Sequence, residues 1–372
     1  MSKTSGEKFI ISFLKEYLGG EEYVDLDKDI EDVDWEKITY QVVLHRIIPI
    51  FMHYMREKNK INILNTYIEN LFSSFEKQAL ERDVLRIAEA SRISNLIIQN
   101  NLNAVIVKGP LSSLAIYDNY GSRVYEDIDI LVEKHDLRKV KDVLFKEGFQ
   151  QGRVDPNEKS FNKASRQDIL EKEMYSHETI EFYKFVDGKR TDIMIDVNHS
   201  LSWKGHSGYE GYPDMKIEDF ISSRKTYSKD EYTLIGPSME ELLAYTILHL
   251  FNEEVFFVWE DYWKYNFGDI QLLKYSDVIM CMKKDIDWKR FHKYVSECHI
   301  EDPIKNVVTK IYEVFGRDIL PGELHCYIDD IKNVDYFYDK HGQKLYWLSD
   351  FKERMLNQNT RIKEVKERNI EL

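Results

Sequence analysis

The stretch that most constrains this chain is residues 104–132, AVIVKGPLSSLAIYDNYGSRVYEDIDILV. Its pattern predicts a strand, a tight turn, a helix, a loop and a second strand. The first strand covers 105–107 and ends in Lys108-Gly109-Pro110. The second, from about 125 to 132, carries Asp127 and Asp129 two residues apart. Alternate strand residues share a face, so both carboxylates point one way while Ile128, Ile130 and Val132 point the other. Two like charges side by side on an otherwise apolar strand resist burial. A divalent cation with oxygen ligands is the simplest group to neutralise them.

A third carboxylate stands further along. Two strand-like runs, 179–186 and 191–197, are joined by Asp187-Gly188, a strong hairpin signal. The second reads TDIMIDVNHS and alternates Ile193, Ile195 and Val197 inward, leaving Asp192, Met194 and Asp196 on the opposite face. If this strand neighbours the first acidic one, Asp127, Asp129 and Asp196 converge at one end of a sheet. Such a set can hold two divalent metals ~3.5–4 Å apart, suited to in-line displacement at phosphorus. The Lys108-Gly109 turn adds a phosphate-facing element, since glycine admits close backbone approach and helix N-terminal N–H groups attract phosphate. Pro110 suits the first turn of the following helix. That helix is expected to reach about Asp118 and to end at Asn119-Tyr120-Gly121.

The rest of the chain frames this core. Residues 1–101 read as an N-terminal helical region. Phe9, Ile10, Phe13, Leu14 and Leu18 fall at helical spacing before Gly19-Gly20, and the pattern continues over 38–54, 63–71 and 73–101. His45 within it is expected to pack or cap. Residues 102–204 form the candidate catalytic core, with a further helix over 135–148 and a polar, mobile connection over 150–175. From 205 to 372 helices return, at 239–252, 270–283 and 288–298. The tail 351–372 is a run of alternating charge, expected to be a solvated helix or a frayed end.

Composition sets limits. With 372 residues, 43% hydrophobic and 13% aromatic, the chain can bury a sizeable core. A formal charge of −14 disfavours nonspecific attraction to long nucleic acid or to an anionic membrane surface. No apolar run approaches the ~20 residues of a membrane span. The first twenty residues lack a long apolar stretch with a cleavage site. A cytoplasmic protein is expected. The three cysteines, Cys281, Cys298 and Cys326, show no CxxC spacing, so buried or half-buried thiols are expected rather than a disulfide framework or a zinc knuckle.

At these residues the chain resembles the DNA polymerase β-like nucleotidyltransferase superfamily, and more closely the bacterial branch known as uncharacterised nucleotidyltransferases. The matching features are Lys108-Gly109, the short helix from Pro110, Arg123, the segment from Asp127 to Val132 (DIDILV), and Ile195-Asp196-Val197-Asn198-His199. Downstream, Pro237, Glu240, Leu242, Leu243 and His249, then Asp277, then Ile286-Asp287-Trp288 extend the likeness over about residues 75–295.

The resemblance implies an α+β fold, in which a small mixed β-sheet nucleotidyltransferase core is flanked by helical regions. It also implies Mg²⁺ (with Mn²⁺ as an alternative) and an NTP, ATP above all. By position, Asp127, Asp129 and Asp196 would be the catalytic carboxylates and metal ligands. Gly109 would open the triphosphate loop, with Lys108 and Arg123 as phosphate contacts. Many superfamily members carry serine directly after the glycine. Here that position is Pro110, leaving Ser112 or Ser113 as substitutes.

The expected activity is transfer of an NMP, most simply AMP from ATP, to a small-molecule, peptide or protein acceptor with release of pyrophosphate. Two alternatives remain open. One is a nucleotide-sugar glycosyltransferase using the D-x-D pair; the other is a non-catalytic nucleotide- or partner-binding module on the same core. His199, His249 and Asp277 carry structural readings first. The aromatic run 256–267 reads as core packing or a stacking surface for a base.

Overall fold

Where the helical period gives way after Leu102, the apolar runs become buried strands of a mixed sheet. The computed structural model describes residues 6–19, 34–154, 160–186, 189–201, 214–256, 270–339, 341–368 and 370. The described chain divides into two compact units. One comprises residues 1–78, 243–296 and 300–372, the other 79–242 with 297–299. The architecture is α+β.

In the first unit, α1 (Gly6–Gly19), α2 (Trp35–Leu44) and α3 (Ile48–Glu57) bury the apolar stripe that their spacing announces. Phe9, Phe13, Leu14, Phe51 and Tyr54 are all nearly inaccessible. Phe13 meets both Phe51 and Tyr54 at ring-centroid distances of 5.4 Å. Helix α4 runs from Thr66 to Gln99, starting before the expected residue 73.

The second unit holds the sheet. Its elements are β1 (Ala104–Val107), α5 (Gly109–Ala115), β2 (Asp127–Val132), α6 (Leu137–Lys146), β3 (Gln150–Val154), β4 (Phe161–Lys163), α7 (Arg166–Tyr175), β5 (Phe182–Val186) and β6 (Lys189–Asn198). The strand order is β1-β2-β6-β5-β3-β4. Among the described strands of this sheet, only β2 and β6 run parallel. Val105–Val107 of the edge strand β1 are buried, as are Ile128, Ile130–Val132, Ile195 and Val197 of the central pair β2 and β6, as expected for strands covered on both faces. Phe145 of α6 packs on Phe182 of β5, with centroids 5.5 Å apart. Helix α8 (Ile217–Ser222) and the hairpin β7 (Lys225–Lys229)–β8 (Tyr232–Gly236) follow, with Gly236 against Leu111 of α5.

Helix α9 (Met239–Phe256) leads to the last helices of the first unit. These are α10 (Leu272–Met282), α11 (Trp288–Glu297), α12 (Glu301–Phe315) and the single turn α13 (Ile331–Val334). The short hairpin β9 (Tyr336–Tyr338)–β10 (Lys344–Tyr346) precedes α14 (Phe351–Leu356) and α15 (Gln358–Glu367).

Three expectations change. Residues 150–175 hold β3, β4 and α7 where a mobile connection was expected; β3 pairs with β5, and Ser165 and Asp168 form a reciprocal capping box at the start of α7. The tail is not a solvated run, because Phe351, Arg354, Met355 and Leu356 are buried and Arg354 pairs with Asp335. Cys281 and Cys298 are buried free thiols, whereas Cys326 is exposed. The Asp187-Gly188 turn and residues 257–267 of the aromatic run lie outside the described residues.

Candidate active site

The three carboxylates meet because β2 and β6 are parallel neighbours. Asp129 is the register partner of Asp196, and Asp127 lies opposite Met194. Register partners in a sheet project to one face, so a period-two pattern on each strand puts all three aspartates together. One carboxylate oxygen from each of Asp127, Asp129 and Asp196 lies within 4.8 Å of the others. Asp129 is buried and the other two are half-buried.

The cluster is electrostatically tense. Burial pushes the Asp129 carboxyl up to about 7; Lys108 pulls against this and Asp127 adds to it. Burial and the charges of Asp127 and Asp129 hold Asp196 well above the ordinary carboxylate range. Lys108 Nζ stands 2.9 Å from Asp129 Oδ1. Asp196 Oδ1 is buried and receives no hydrogen bond from the described residues. Three clustered carboxylates, one with an oxygen that no described donor reaches, form a donor set that fits a hard divalent cation.

The Lys108-Gly109 turn is packed against the start of β2. A Cβ on Gly109 would fall 2.9 Å from the Asp127 carbonyl oxygen and 2.9 Å from the Tyr125 ring, so only glycine fits. Lys108 itself takes φ 49° and ψ −141°, a conformation that non-glycine residues rarely adopt. Arg123 lies over the Tyr125 ring at 5.4 Å from its centroid, and its charge acts on Asp129.

The loop between α5 and β2 is held from behind by Asp83, a residue of α4 that the sequence reading did not single out. Its carboxylate accepts from Ser113 Oγ (2.5 Å), the Gly121 N–H (2.6 Å) and the Tyr125 hydroxyl (2.6 Å). Arg86 donates to the Tyr125 carbonyl. A signal was there to be found: Asp83 is in phase with Ile87, Ala90, Ser94 and Ile97, the buried stripe of the helix. A charged residue on such a stripe needs partners.

The expected helix from Pro110 to Asp118 ends early, at Ala115. The Asp83 network redirects one substitute serine. The Ser113 hydroxyl is committed to Asp83 and Ser112 is buried, so the structure brings neither hydroxyl out as an open contact.

The remaining candidates are placed as follows. His199 is buried just past the end of β6, its N–H donating to the His177 carbonyl. In the first unit, His249 pairs with Glu253 at 3.4 Å, Lys274 pairs with the same carboxylate, and Asp277 is buried on α10. His45 is buried and accepts from the Leu272 N–H at 3.3 Å, in keeping with the packing role expected of it. Among the described residues no helix is long and apolar enough to cross a membrane.

No curated protein matches the chain significantly. A family model described as "uncharacterised nucleotidyltransferase" matches residues 31–316, a span that includes Lys108, Gly109 and all three aspartates. The chain belongs to this family of uncharacterised nucleotidyltransferases.

Proposed function

We propose that the protein is a Mg²⁺-dependent nucleotidyltransferase that moves an NMP, AMP from ATP in the simplest case, onto an acceptor and releases pyrophosphate. The observation that carries this reading is the Asp129–Asp196 register, which gathers three carboxylates within 4.8 Å beside Lys108. Asp127, Asp129 and Asp196 would hold the metal. When bound there, the ion offsets triphosphate charge and favours ionisation of the acceptor hydroxyl.

Each residue then has a role. Lys108 and Arg123 bind phosphate oxygens as point charge and planar fork. Gly109 keeps the turn seated against β2. Asp196 receives the acceptor proton as the acceptor oxygen bonds to the α-phosphorus and the bond to pyrophosphate breaks. Residues 102–204 are the proposed catalytic core, working in the cytoplasm. The chain's charge of −14 favours a small-molecule, peptide or protein acceptor over long nucleic acid.

The test is a screen of α-³²P-labelled NTPs with Mg²⁺ against acceptor pools, reading both labelled product and pyrophosphate. Label transfer with pyrophosphate release that Asp127→Asn abolishes is the expected result. Release of a nucleoside diphosphate from a nucleotide sugar would instead identify a glycosyltransferase. Nucleotide binding without pyrophosphate under every acceptor would identify a binding module.

A further inference from the structure

The carboxylate group contains its own cation. Lys108 Nζ lies 2.9 Å from Asp129 Oδ1, on one of the three carboxylates that would ligate the metal. An ammonium and a dication on one carboxylate repel each other, and the dication becomes the largest local charge. The lysine is less deeply buried than its partner. Its side chain is 18% exposed on a flexible four-carbon stem, whereas the Asp129 side chain is 5% exposed. The backbone at Lys108 (φ 49°, ψ −141°) is held in a sparsely populated region, with Gly109 wedged against Asp127 and Tyr125. Side-chain direction at this position is therefore dictated by the turn, and the turn delivers it to β2.

We infer that Lys108 is an exchangeable counter-ion: it competes with the divalent cation for Asp129 and is released from that carboxylate when the cation binds. This rests on the metal-dependent reading above and adds a sign to it. A lysine that merely supported the site would strengthen metal binding; a competing lysine weakens it. Once released, the ammonium becomes available to the phosphate oxygens that the same reading assigns to it, so one side chain serves two partners in turn.

The experiment measures Mn²⁺ affinity without nucleotide, by electron paramagnetic resonance titration of the full chain. The variants are Lys108→Met, Lys108→Gln, Lys108→Arg and Asp127→Asn. Lys141→Met serves as the control for net charge, since Lys141 pairs with Glu173 elsewhere in the same unit. Lys108→Met and Lys108→Gln should bind Mn²⁺ roughly tenfold more tightly than the parent, about 1.4 kcal/mol. Lys108→Arg and Lys141→Met should match the parent.

A second readout uses the parent protein alone and does not depend on a variant folding. Acylation of Lys108, followed by mass spectrometry, should rise when Mg²⁺ is added. Equal or weaker Mn²⁺ binding by both neutral variants, or no Mg²⁺-induced rise in labelling, overturns the exchange. The two failures separate cleanly. If the parent binds Mn²⁺ and Asp127→Asn does not, a null result at Lys108 removes only this inference. If neither the parent nor the Lys108 variants bind Mn²⁺, the metal-dependent reading itself falls.

Discussion

Asp129 and Asp196 stand in direct register across the parallel β2–β6 pair, two acidic side chains side by side. Such pairs destabilise a sheet when nothing neutralises them. Asp196→Asn should therefore raise thermal stability in the presence of a chelator, by about 1 kcal/mol, whereas Asp129→Asn also gives up the Lys108 ion pair and should gain less. Both should lower transfer activity by at least ~100-fold. Differential scanning calorimetry with EDTA, run beside the turnover assay, checks the opposing signs. A variant that loses both stability and activity would point to a structural role for the pair.

Asp83 is the anchor of the loop that precedes β2. Asp83→Ala strands three donors, Ser113 Oγ, the Gly121 N–H and the Tyr125 hydroxyl. It should cost roughly 2–4 kcal/mol in urea unfolding. Asp83→Asn keeps an acceptor for some of these donors and should cost less. Equal losses in the two variants would argue against a role through hydrogen bonding.

Gly109→Ala places a methyl group 2.9 Å from both the Asp127 carbonyl oxygen and the Tyr125 ring. Neither neighbour is the loose end of a flexible chain. Overpacking here should cost about 1–3 kcal/mol and displace the start of β2. Activity should fall even at temperatures where circular dichroism shows a folded protein.

His45 offers a pH prediction away from the candidate site. Burial lowers its pKa from 6.5 to about 3. The unfolded chain thus takes up this proton near pH 6.5, the folded chain only near 3. Stability is unimpaired by His45 above pH 6.5 and falls as pH drops through that window, with a slope of up to ~1.4 kcal/mol per pH unit. His45→Gln should flatten this component, as read by urea midpoints between pH 4 and 7.

Much of the sheet was legible because strand alternation is local. Ile128, Ile130 and Val132 against Asp127 and Asp129, and Ile193, Ile195 and Val197 against Met194 and Asp196, declare their faces in six and five residues. The long helix ending near Asn101 was legible for the same reason. Less legible were β3 and β4, which run through polar sequence and gain their order from pairing with β5 and each other. The charged tail hid its buried side, because Arg354 is buried by virtue of a partner, Asp335, supplied from another part of the same unit.

The stretch 104–132 by itself determined a strand, a Lys-Gly turn, a helix and an acidic strand, since each follows from side-chain periodicity and from glycine and proline stereochemistry. It also determined which face of β2 carries charge. Only the tertiary structure decided that β6 lies beside β2 in parallel, that Asp196 falls level with Asp129, that Lys108 reaches Asp129, and that Ser113 belongs to Asp83. Register and ion pairing across long sequence separations are set by which surfaces bury together, and no local pattern carries that information.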